Sequence, residues 1–338
     1  MLILRHAEVR EILDGREPDV VDAVRTAYEL HHQSRSALPF SAFLRLPATA
    51  AAGGPAANRI IGLPAYLGGD VDLAGIKWVS SFPGNVEHGI ERASAVMVLN
   101  SMLTGRPEAL IEASLVSAAR TAASAALAAA VLLPAGAPSP TRVVVIGCGP
   151  INATVLRYLA TVFSDLREAV LYDLSVDRST DFAVRYGPRL PGMTLRVVRR
   201  AEAAAGEQLV TIATTASRPH LDLPSVDPGA TVLHVSLRDL TVPTVLAHHN
   251  VTDDVDHVCR EQTSLHLAAQ RTGDRAFDDA TLGEVLVEGG AFRRDPGKAV
   301  LFSPFGLGVL DLAVAKLVVA EAVANGAGTR LLDFLPGA

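Results

Sequence analysis

The sequence predicts an α/β protein in which a doubly wound parallel sheet is inserted into a mixed α/β domain. Between residues 141 and 253, short β-branched apolar strands alternate with helical segments, which is typical of a parallel sheet covered by helices. A glycine-rich turn joins the first of these strands to the helix after it. An apolar helix near the carboxyl terminus lies outside this alternation, so we expect it to pack onto the first domain.

The first domain is predicted to consist of residues 1–134 and 305–338. Residues 5–37 are predicted to be helical from the spacing of their apolar side chains. A loop with Gly and Pro residues covers Ala48–Asn58, and strand patterns occur at Ser41–Leu46, Arg59–Leu63, Gly75–Val79 and Ala95–Leu99. Strong helix formers dominate Ile111–Leu133, and the Pro/Gly/Ser stretch that begins at Pro134 marks the boundary.

The inserted domain is predicted to span residues 135–304. Its first helix is expected at Ile151–Phe163. Its strands are expected at Arg142–Ile146, Ala169–Asp173, Leu195–Val198, Leu209–Ala213, Thr231–Val235, Asn250–Asp253 and Ala299–Ser303. The chain then returns to the first domain through the apolar helix Asp311–Ala324.

Composition and charge exclude several classes of protein. The chain has 338 residues, 49% of them hydrophobic, which is enough for two domains with separate cores. The net charge is −6 and no basic stripe occurs, so neither nucleic acid nor a membrane surface is an expected partner. The amino terminus lacks the apolar region of a signal peptide, and the run Thr121–Leu133 is too short and Ala-rich for a membrane span. The two cysteines, Cys148 and Cys259, lie far apart in sequence, which fits a reducing cytoplasm.

The glycine-rich turn predicts a dinucleotide site. It follows a buried strand, opens a helix and reads Gly147-Cys-Gly149-Pro150-Ile151-Asn152. The first glycine permits the tight turn, the second lets the backbone approach a pyrophosphate, and the helix offers unpaired N–H groups. Asn152 replaces the third glycine of the usual Rossmann pattern, and the small Ala153 follows it. The alternative is a strand-to-helix turn that binds no ligand.

An acidic residue after the next strand favours NAD over NADP. Asp173 lies 21 positions after Asn152 (173 − 152), close to the spacing at which a carboxylate bonds the adenosine ribose. A carboxylate there would repel a 2′-phosphate. Thr214, Thr215 and Ala216 follow another strand and are predicted to lie beside the nicotinamide, with an ordinary polar loop as the alternative.

Cations in apolar surroundings are the candidate substrate ligands in the first domain. Lys77 interrupts an apolar strand, Arg120 lies in an Ala-rich helix, and Arg45 stands between Leu44 and Leu46. Each of these cations needs an anionic partner, which is either a protein carboxylate or a ligand. The sequence alone leaves both alternatives open.

Several motifs occur in a fixed order along the chain. They read Gly75-Ile-Lys77-Trp-Val-Ser-Ser-Phe-Pro83-Gly-Asn85, Arg92-Ala-Ser94-Ala, Thr104-Gly105-Arg-Pro107, Ser117-Ala-Ala-Arg120 and, beyond the Gly147 turn, Phe302-Ser-Pro-Phe-Gly306-Leu-Gly308-Val-Leu-Asp311. Together they resemble the ornithine cyclodeaminase/μ-crystallin family over most of the chain. The segments from Trp78 and Arg92 and the run Val235-Ser-Leu-Arg-Asp239 look most like a siderophore-type branch. That branch makes 2,3-diaminopropionate by oxidatively hydrolysing N-(1-amino-1-carboxy-2-ethyl)glutamate.

The resemblance implies roles for individual residues. Arg45, Lys77 and Arg120 match the family's carboxylate-binding cations, and Ser94 matches its Ser/Thr near the cofactor. Asp239 is the predicted catalytic carboxylate, together with Lys77, although a loop carboxylate paired with Arg238 is the alternative. The Asp-x-Pro-Gly-Lys pattern of cyclodeaminases is missing here, which disfavours cyclisation of ornithine. Family members are typically homodimers that pair through the first domain.

These inferences lead to one reaction hypothesis and two alternatives. The hypothesis is hydride transfer from the glutamate α-carbon of an amino-acid-type substrate to NAD, followed by hydrolysis of the imine, in supply of a siderophore or peptide antibiotic. The first alternative is another enzyme of the same family, such as an ornithine cyclodeaminase, an amino-acid dehydrogenase or a cyclic imine reductase. The second is a non-catalytic dinucleotide-binding protein. No metal site is predicted, because the acidic run from Asp253 to Asp256 with His257 lacks the spacing of a known motif.

Overall fold

The computed structural model describes residues 1–46, 58–199, 207–223, 226–289 and 292–336. Contacts within it divide the chain into two compact units, Met1–Arg120 with Leu307–Ala338, and Thr121–Gly306. The second unit is thus an insertion in the first. Most of the predicted loop Ala48–Asn58 lies outside the described residues.

A mixed sheet forms the centre of the first unit. In order across the sheet its strands are β16, β1, β7, β6, β5, β4 and β2, with β3 also paired to β4. Neighbours are antiparallel except for β1 and β7. The strand bounds are β1 Leu2–Leu4, β2 Ser36–Ala37, β3 Ala42–Arg45, β4 Arg59–Leu67, β5 Leu73–Ser81, β6 Ala93–Asn100, β7 Pro107–Glu112 and β16 Thr329–Arg330.

Helices cover one face of this sheet. They are α1 His6–Leu13, α2 Glu17–His32 and α10 Gly308–Ala324, and a short 3₁₀ helix covers Pro83–His88. The apolar α10 packs against β4, β5 and α2. The predicted helical stretch 5–37 is two helices, because Gly15 between them adopts a φ of +76°, which ends a right-handed helix.

Helix α3, Ser114–Leu132, contributes residues to both units. Its 19 residues, which include most of the run Thr121–Leu133, are long and apolar enough to cross a bilayer by length and composition alone. However, 61% of its most apolar window is buried inside the protein, as in a core helix. Ala122, Ala125 and Ala128 are fully buried.

The second unit contains the predicted parallel sheet. Its order is β10, β9, β8, β11, β12, β15, β13 and β14, and every described neighbouring pair is parallel. The strand bounds are β8 Arg142–Ile146, β9 Glu168–Tyr172, β10 Thr194–Val197, β11 Leu209–Ile212, β12 Thr231–His234, β13 His249–Thr252, β14 Asp278–Thr281 and β15 Val300–Ser303. The helix bounds are α4 Pro150–Val162, α5 Val176–Tyr186, α6 Val242–Ala247, α7 Val255–Val258, α8 Ser264–Thr272 and α9 Leu282–Glu288. The predicted α/β fold class is confirmed.

The strand order reverses between β8 and β11. From β8 the chain moves outward through β9 and β10, then returns to add β11 and β12 on the other side. Ligands of open parallel sheets bind at the carboxyl ends of strands at such a reversal. The glycine-rich turn after β8 and residues Thr214–Ala216 after β11 therefore occupy the expected nucleotide edge of this unit.

Candidate active site

The first glycine of the turn is required by a close backbone approach. Gly147 has a φ of +91°, and a Cβ on it would lie 2.3 Å from the carbonyl oxygen of Ala213. Ala213 donates its N–H to the Ile146 carbonyl at 3.0 Å, which ties the end of β11 to the end of β8. Any side chain at 147 would therefore separate these two strand ends.

The second glycine leaves room for a ligand. Gly149 precedes α4 with a φ of −117°, and no described protein atom lies within 4 Å of the position that its Cβ would take. The protein itself therefore does not require glycine there, whereas a phosphate close to the backbone would. Pro150 occupies the first helical turn and no side chain caps it, so the N–H groups of Ile151 and Asn152 suit an anion. This arrangement fits the pyrophosphate of a dinucleotide.

Asn152, which replaces the third glycine, is fully buried and holds the turn in place. Its Nδ2 donates to the carbonyl oxygens of Ile146 at 3.0 Å and Gly147 at 2.7 Å. Its Oδ1 accepts from Thr211 Oγ1 at 2.8 Å. The side chain thus links the turn to β8 and β11, and only its backbone can face a ligand.

Asp173 lies against the same turn. Its Oδ2 accepts from the backbone N–H of Cys148 at 2.9 Å, and its Oδ1 accepts from Ser175 at 3.1 Å. The half-buried carboxylate is thereby fixed beside the glycine-rich segment. The arrangement is compatible with bonding ribose hydroxyls and with repelling a 2′-phosphate. Burial raises the pKa of the neighbouring Cys148 thiol to about 11, so this cysteine is unreactive.

Thr214 connects the nucleotide edge to a buried acid. Its hydroxyl donates to Asp239 Oδ1 and accepts from the Ala216 N–H at 3.0 Å. Thr214 and Ala216 are half-buried, whereas Thr215 is exposed. Asp239 is 0% exposed, and its Oδ2 accepts from the Ser236 hydroxyl.

His234 completes this buried network. Its Nε2 lies 3.3 Å from Asp239 Oδ2, and its Nδ1 lies 3.1 Å from Ser303 Oγ. Burial raises the pKa of the Asp239 carboxyl, but the hydrogen bonds and charge of His234 and the two hydroxyl donors outweigh it and lower that pKa overall. Asp239 is therefore an ionised group with a partner at both carboxylate oxygens. Thr214, which is half-buried, connects it to the nucleotide edge.

In the first unit, Lys77 and Arg120 converge on one buried carboxylate. Lys77 Nζ donates to Asp311 Oδ2 at 2.6 Å and to Ser117 Oγ at 3.2 Å. Arg120 Nε donates to Asp311 Oδ1 at 3.2 Å. The exposed fractions of the three charged side chains are 2% for Lys77, 11% for Arg120 and 0% for Asp311. Strand β5, helix α3 and the first turn of α10 thus each supply one charged group.

This cluster carries more positive than negative charge. Burial and repulsion by Arg120 lower the pKa of Lys77 to about 8, while Asp311 opposes both effects. Below that pH two cations share one carboxylate. Buried charge needs a compensating partner, so the cluster favours a second anion. Arg120 bonds Asp311 through Nε, which leaves its two terminal nitrogens suited to a bidentate carboxylate.

Two further predicted site residues lie in the mixed sheet. Arg45 ends β3 and pairs with Arg59 of β4. Ser94 is exposed in β6, and its hydroxyl lies 2.9 Å from that of Ser80 on β5.

The sequence analysis missed the groups that organise the predicted residues. Asp311 was not predicted as the partner of Lys77, although an acid in the apolar first half of α10 is the same signal as a lysine in an apolar strand. Ser117, His234 and Ser236 were likewise missed, because polar residues at strand and helix ends are too common to single out. Of the acidic run, Asp254 accepts from the His257 N–H at 2.9 Å and caps α7. No group of potential metal ligands occurs within the described ranges.

Comparison with models of protein families identifies the family of this chain. The model described as the ornithine cyclodeaminase/mu-crystallin family matches residues 19–326. The protein belongs to this family. The resemblance predicted from its motifs is therefore confirmed.

Similar proteins are dehydrogenases that act on amino-acid substrates. The chain is 28% identical over 335 residues to N-((2S)-2-amino-2-carboxyethyl)-L-glutamate dehydrogenase of Staphylococcus aureus, covering 98% of both chains. It is also 28% identical over 341 residues to alanine dehydrogenase of Archaeoglobus fulgidus, again covering 98% of both. Among solved structures, an archaeal alanine dehydrogenase dimer with bound NAD superposes with a TM-score of 0.85 at 25% identity and 99% coverage of both chains.

Proposed function

We propose that this protein is an NAD-dependent dehydrogenase that converts N-(1-amino-1-carboxy-2-ethyl)-L-glutamate to 2-oxoglutarate and L-2,3-diaminopropionate. The observation that carries the proposal is the buried cluster of Lys77, Arg120 and Asp311, whose excess positive charge suits a substrate carboxylate. The similarity to the staphylococcal dehydrogenase over 98% of both chains supports this substrate. Supply of 2,3-diaminopropionate to a siderophore or peptide antibiotic is the corresponding cellular role.

Lys77 and Arg120 bind the α-carboxylate in this proposal. The guanidinium takes two carboxylate oxygens through its terminal nitrogens, and the ammonium of Lys77 adds charge. Asp311 holds both cations in place, since each donates to one of its two oxygens. Fixing the carboxylate restricts the orientation of the α-carbon and its C–H bond, which lowers the entropic part of the barrier.

Bound NAD supplies the acceptor for the hydride that leaves the substrate α-carbon. Gly147, Gly149, Asn152 and the first turn of α4 hold the pyrophosphate, and Asp173 bonds the adenosine ribose and disfavours a 2′-phosphate. Ser94 and residues Thr214–Ala216 are the proposed contacts near the nicotinamide, and Arg45 is a proposed third substrate cation.

Asp239 is the proposed proton acceptor, and its burial requires a relay. Thr214 Oγ1 takes a proton from the substrate's secondary amine while it passes its own proton to Asp239 Oδ1, with which it is already bonded. Loss of that proton and of the hydride leaves an imine at the former α-carbon. Water activated by the same pair adds to the imine, and the C–N bond then breaks to give the keto acid and the diamine. The balance is substrate, NAD⁺ and water on one side, and 2-oxoglutarate, 2,3-diaminopropionate, NADH and a proton on the other.

The experiment that tests the reaction is incubation of the purified protein with NAD⁺ and the glutamate adduct, with product identification by mass spectrometry. We expect NADH, 2-oxoglutarate and 2,3-diaminopropionate in equal amounts. Asp239→Asn and Thr214→Val should each reduce kcat by roughly 100-fold or more with NAD affinity nearly unchanged, whereas Thr214→Ser keeps the hydroxyl and most activity. Ornithine is tested in parallel. Production of proline from ornithine, or absence of a reduced-nicotinamide signal with both the adduct and ornithine, would exclude the proposed reaction.

Alanine dehydrogenase is the second candidate, because the archaeal enzyme is as similar in identity and coverage as the staphylococcal one. The same carboxylate clamp would hold alanine, and pyruvate with ammonia would be the products. Alanine is therefore the parallel substrate in the assay. A kcat/KM for alanine above that for the adduct would favour this second reaction.

We propose further that the protein is a homodimer that pairs through the uncovered face of the mixed sheet. Trp78 and Val96 lie opposite each other on β5 and β6 and are 44% and 41% exposed. Side chains alternate along a strand, so Trp78 faces away from the side that Lys77 and α10 occupy. Exposed apolar side chains on a sheet face are typical of an interface. The similar archaeal alanine dehydrogenase is a dimer.

A further inference from the structure

Arg92 places a half-buried cation on the sheet face that carries Lys77. It directly precedes β6, and its Nη1 donates to Ser81 Oγ at 2.8 Å. Ser81 and Lys77 both lie in β5, four positions apart, so their side chains point to the same face. At about 3.3 Å per residue their Cα atoms are about 13 Å apart. Long lysine and arginine side chains can reach toward each other across that distance.

The charge of Arg92 has no carboxylate partner within the part of the chain that the structure describes. Its guanidinium donates to the neutral hydroxyl of Ser81, which is itself only 9% exposed. Burial lowers the pKa of the Arg92 guanidinium, and no acid among the described residues opposes that shift. A half-buried guanidinium with one neutral partner keeps most of its five donors for another acceptor.

Arg294 is an arginine of the same protein whose hydrogen bonds account for a role in folding. Burial lowers its pKa too, but its guanidinium donates to the main-chain carbonyl oxygens of Leu132 at 2.8 Å, Pro228 at 3.0 Å and Ala230. Those bonds tie three segments of the second unit together. Among the residues that the structure describes, Arg92 makes no comparable set of bonds, so a role in folding does not account for it.

Strand register aligns two arginine positions with Ser81. Ser81 pairs with Arg59 of β4, and Arg59 pairs in turn with Arg45 of β3. The row Arg45, Arg59 and Ser81 therefore crosses three strands at the end of the sheet where Arg92 binds. Ser81 lies along β5 from Lys77, so the guanidinium that it binds is separate from the Lys77 cluster.

We infer that Arg92 forms a second carboxylate subsite, which selects substrates with a carboxylate beyond the one held by Lys77 and Arg120. This inference rests on the proposed function and names the feature that would separate its substrate from simpler amino acids. The substrate in the name of the staphylococcal relative has two carboxylates on its glutamate and one on its aminoethyl group, whereas alanine has one. A charge-assisted bond from Arg92 to either distal carboxylate changes affinity by about 10- to 100-fold.

The test compares three substrates with four forms of the full-length protein. The substrates are the adduct, its γ-carboxamide analogue and the analogue without the aminoethyl carboxylate. The proteins are wild type, Arg92→Met, Arg92→Lys and the control Arg294→Met. Wild type should prefer the adduct over one of the two analogues by about 10- to 100-fold in kcat/KM. Arg92→Met should abolish that preference, mainly by raising KM for the adduct. Arg92→Lys should restore part of the preference. Arg294→Met should lower stability and leave the preference unchanged.

A binding measurement separates this inference from the proposed reaction. Calorimetry on the NADH-loaded protein compares dicarboxylates such as glutarate and succinate with the monocarboxylate butyrate. Arg92→Met should weaken dicarboxylate binding by about 10-fold or more relative to butyrate. If the adduct is not turned over but this selectivity depends on Arg92, the reaction is wrong and the subsite stands. If the adduct is turned over and Arg92→Met alters none of these ratios, the subsite is wrong and the reaction stands.

Discussion

At the scale of single residues, Asp311 determines how Lys77 and Arg120 are held. Each cation alone would be costly to bury, and their mutual repulsion would add to that cost. The Asp311 carboxylate offers one oxygen to each, at 2.6 and 3.2 Å. Because one negative charge compensates two positive ones, the cluster remains receptive to an anion.

The lowered pKa of Lys77 predicts a pH limit for substrate binding. As pH rises through about 8, Lys77 loses its proton and the cluster loses its excess charge, so kcat/KM should fall with an apparent pKa near that value. Lys77→Arg stays charged, so its profile should lack this fall. Lys298→Arg, in the second unit, is the matched control and should keep the wild-type profile.

Stability should change in the opposite direction over the same range. The folded pKa of Lys77 lies below its ordinary value of 10.5, so the unfolded chain binds more protons between about 8 and 10.5. The contribution of Lys77 to the free energy of unfolding therefore rises with pH in that window. Thermal unfolding measured at each pH separates this effect on stability from the effect on activity.

A wild-type kcat/KM that stays flat from pH 7 to 10 would contradict the assigned role of Lys77 in substrate binding.

At the scale of elements, local patterns predicted most strands and the main helices, but not their ends or irregularities. The strand-turn-helix segment from Arg142 was predicted within one residue, because a buried apolar strand, paired glycines and a proline at the helix start are all local signals. The break at Gly15 and strand β14 were missed. Strand β14 begins with Asp278 and Asp279, and aspartate is a residue type that is rare in strands. Only pairing with β13 makes that segment extended.

Asn152 gives a prediction at this scale. Asn152→Gly restores the usual third glycine of the pattern, yet it removes three buried hydrogen bonds that tie the turn to β8 and β11. We expect a loss of about 2–3 kcal/mol in the free energy of unfolding, together with weaker NAD binding. Chemical denaturation and NAD titration measure the two effects.

Asn152→Ala separates the lost hydrogen bonds from the cost of glycine in a helix. It should destabilise by about 1 kcal/mol less than Asn152→Gly, because alanine costs less backbone entropy. A glycine variant as stable as wild type and with equal NAD affinity would show that these hydrogen bonds do not hold the turn.

At the scale of the whole molecule, the chain builds its first unit from two distant segments. The bond between Lys77 and Asp311 joins residues 234 positions apart. The chain leaves this unit within α3 and re-enters at Leu307, directly before α10, which carries Asp311. The whole inserted unit therefore precedes α10 and β16, the last two elements of the first unit.

The uncovered face of the mixed sheet gives a prediction about assembly. Val96→Lys places a charge opposite the exposed Trp78 and should convert the proposed dimer to monomers by desolvation and repulsion at the interface. Analytical ultracentrifugation measures the change. The control is Val184→Lys on α5, where the valine is 73% exposed in the other unit, and it should leave the mass unchanged. A wild-type protein that sediments as a monomer at all concentrations would exclude the dimer.

The sequence by itself determined the parallel sheet, the glycine-rich turn and the family, and it predicted the cofactor. The sheet, the turn and the predicted cofactor depend on residues close together in the chain, where periodicity, glycine spacing and a carboxylate at a fixed distance are visible. The family shows in several such local motifs that follow one another in a fixed order. Tertiary structure alone decided which anion Lys77 and Arg120 share, that Asn152 secures the turn, and that Asp239 is enclosed behind Thr214. These facts depend on contacts between distant segments, and the energy of a buried charge is set by its neighbours in space, which a single sequence does not display.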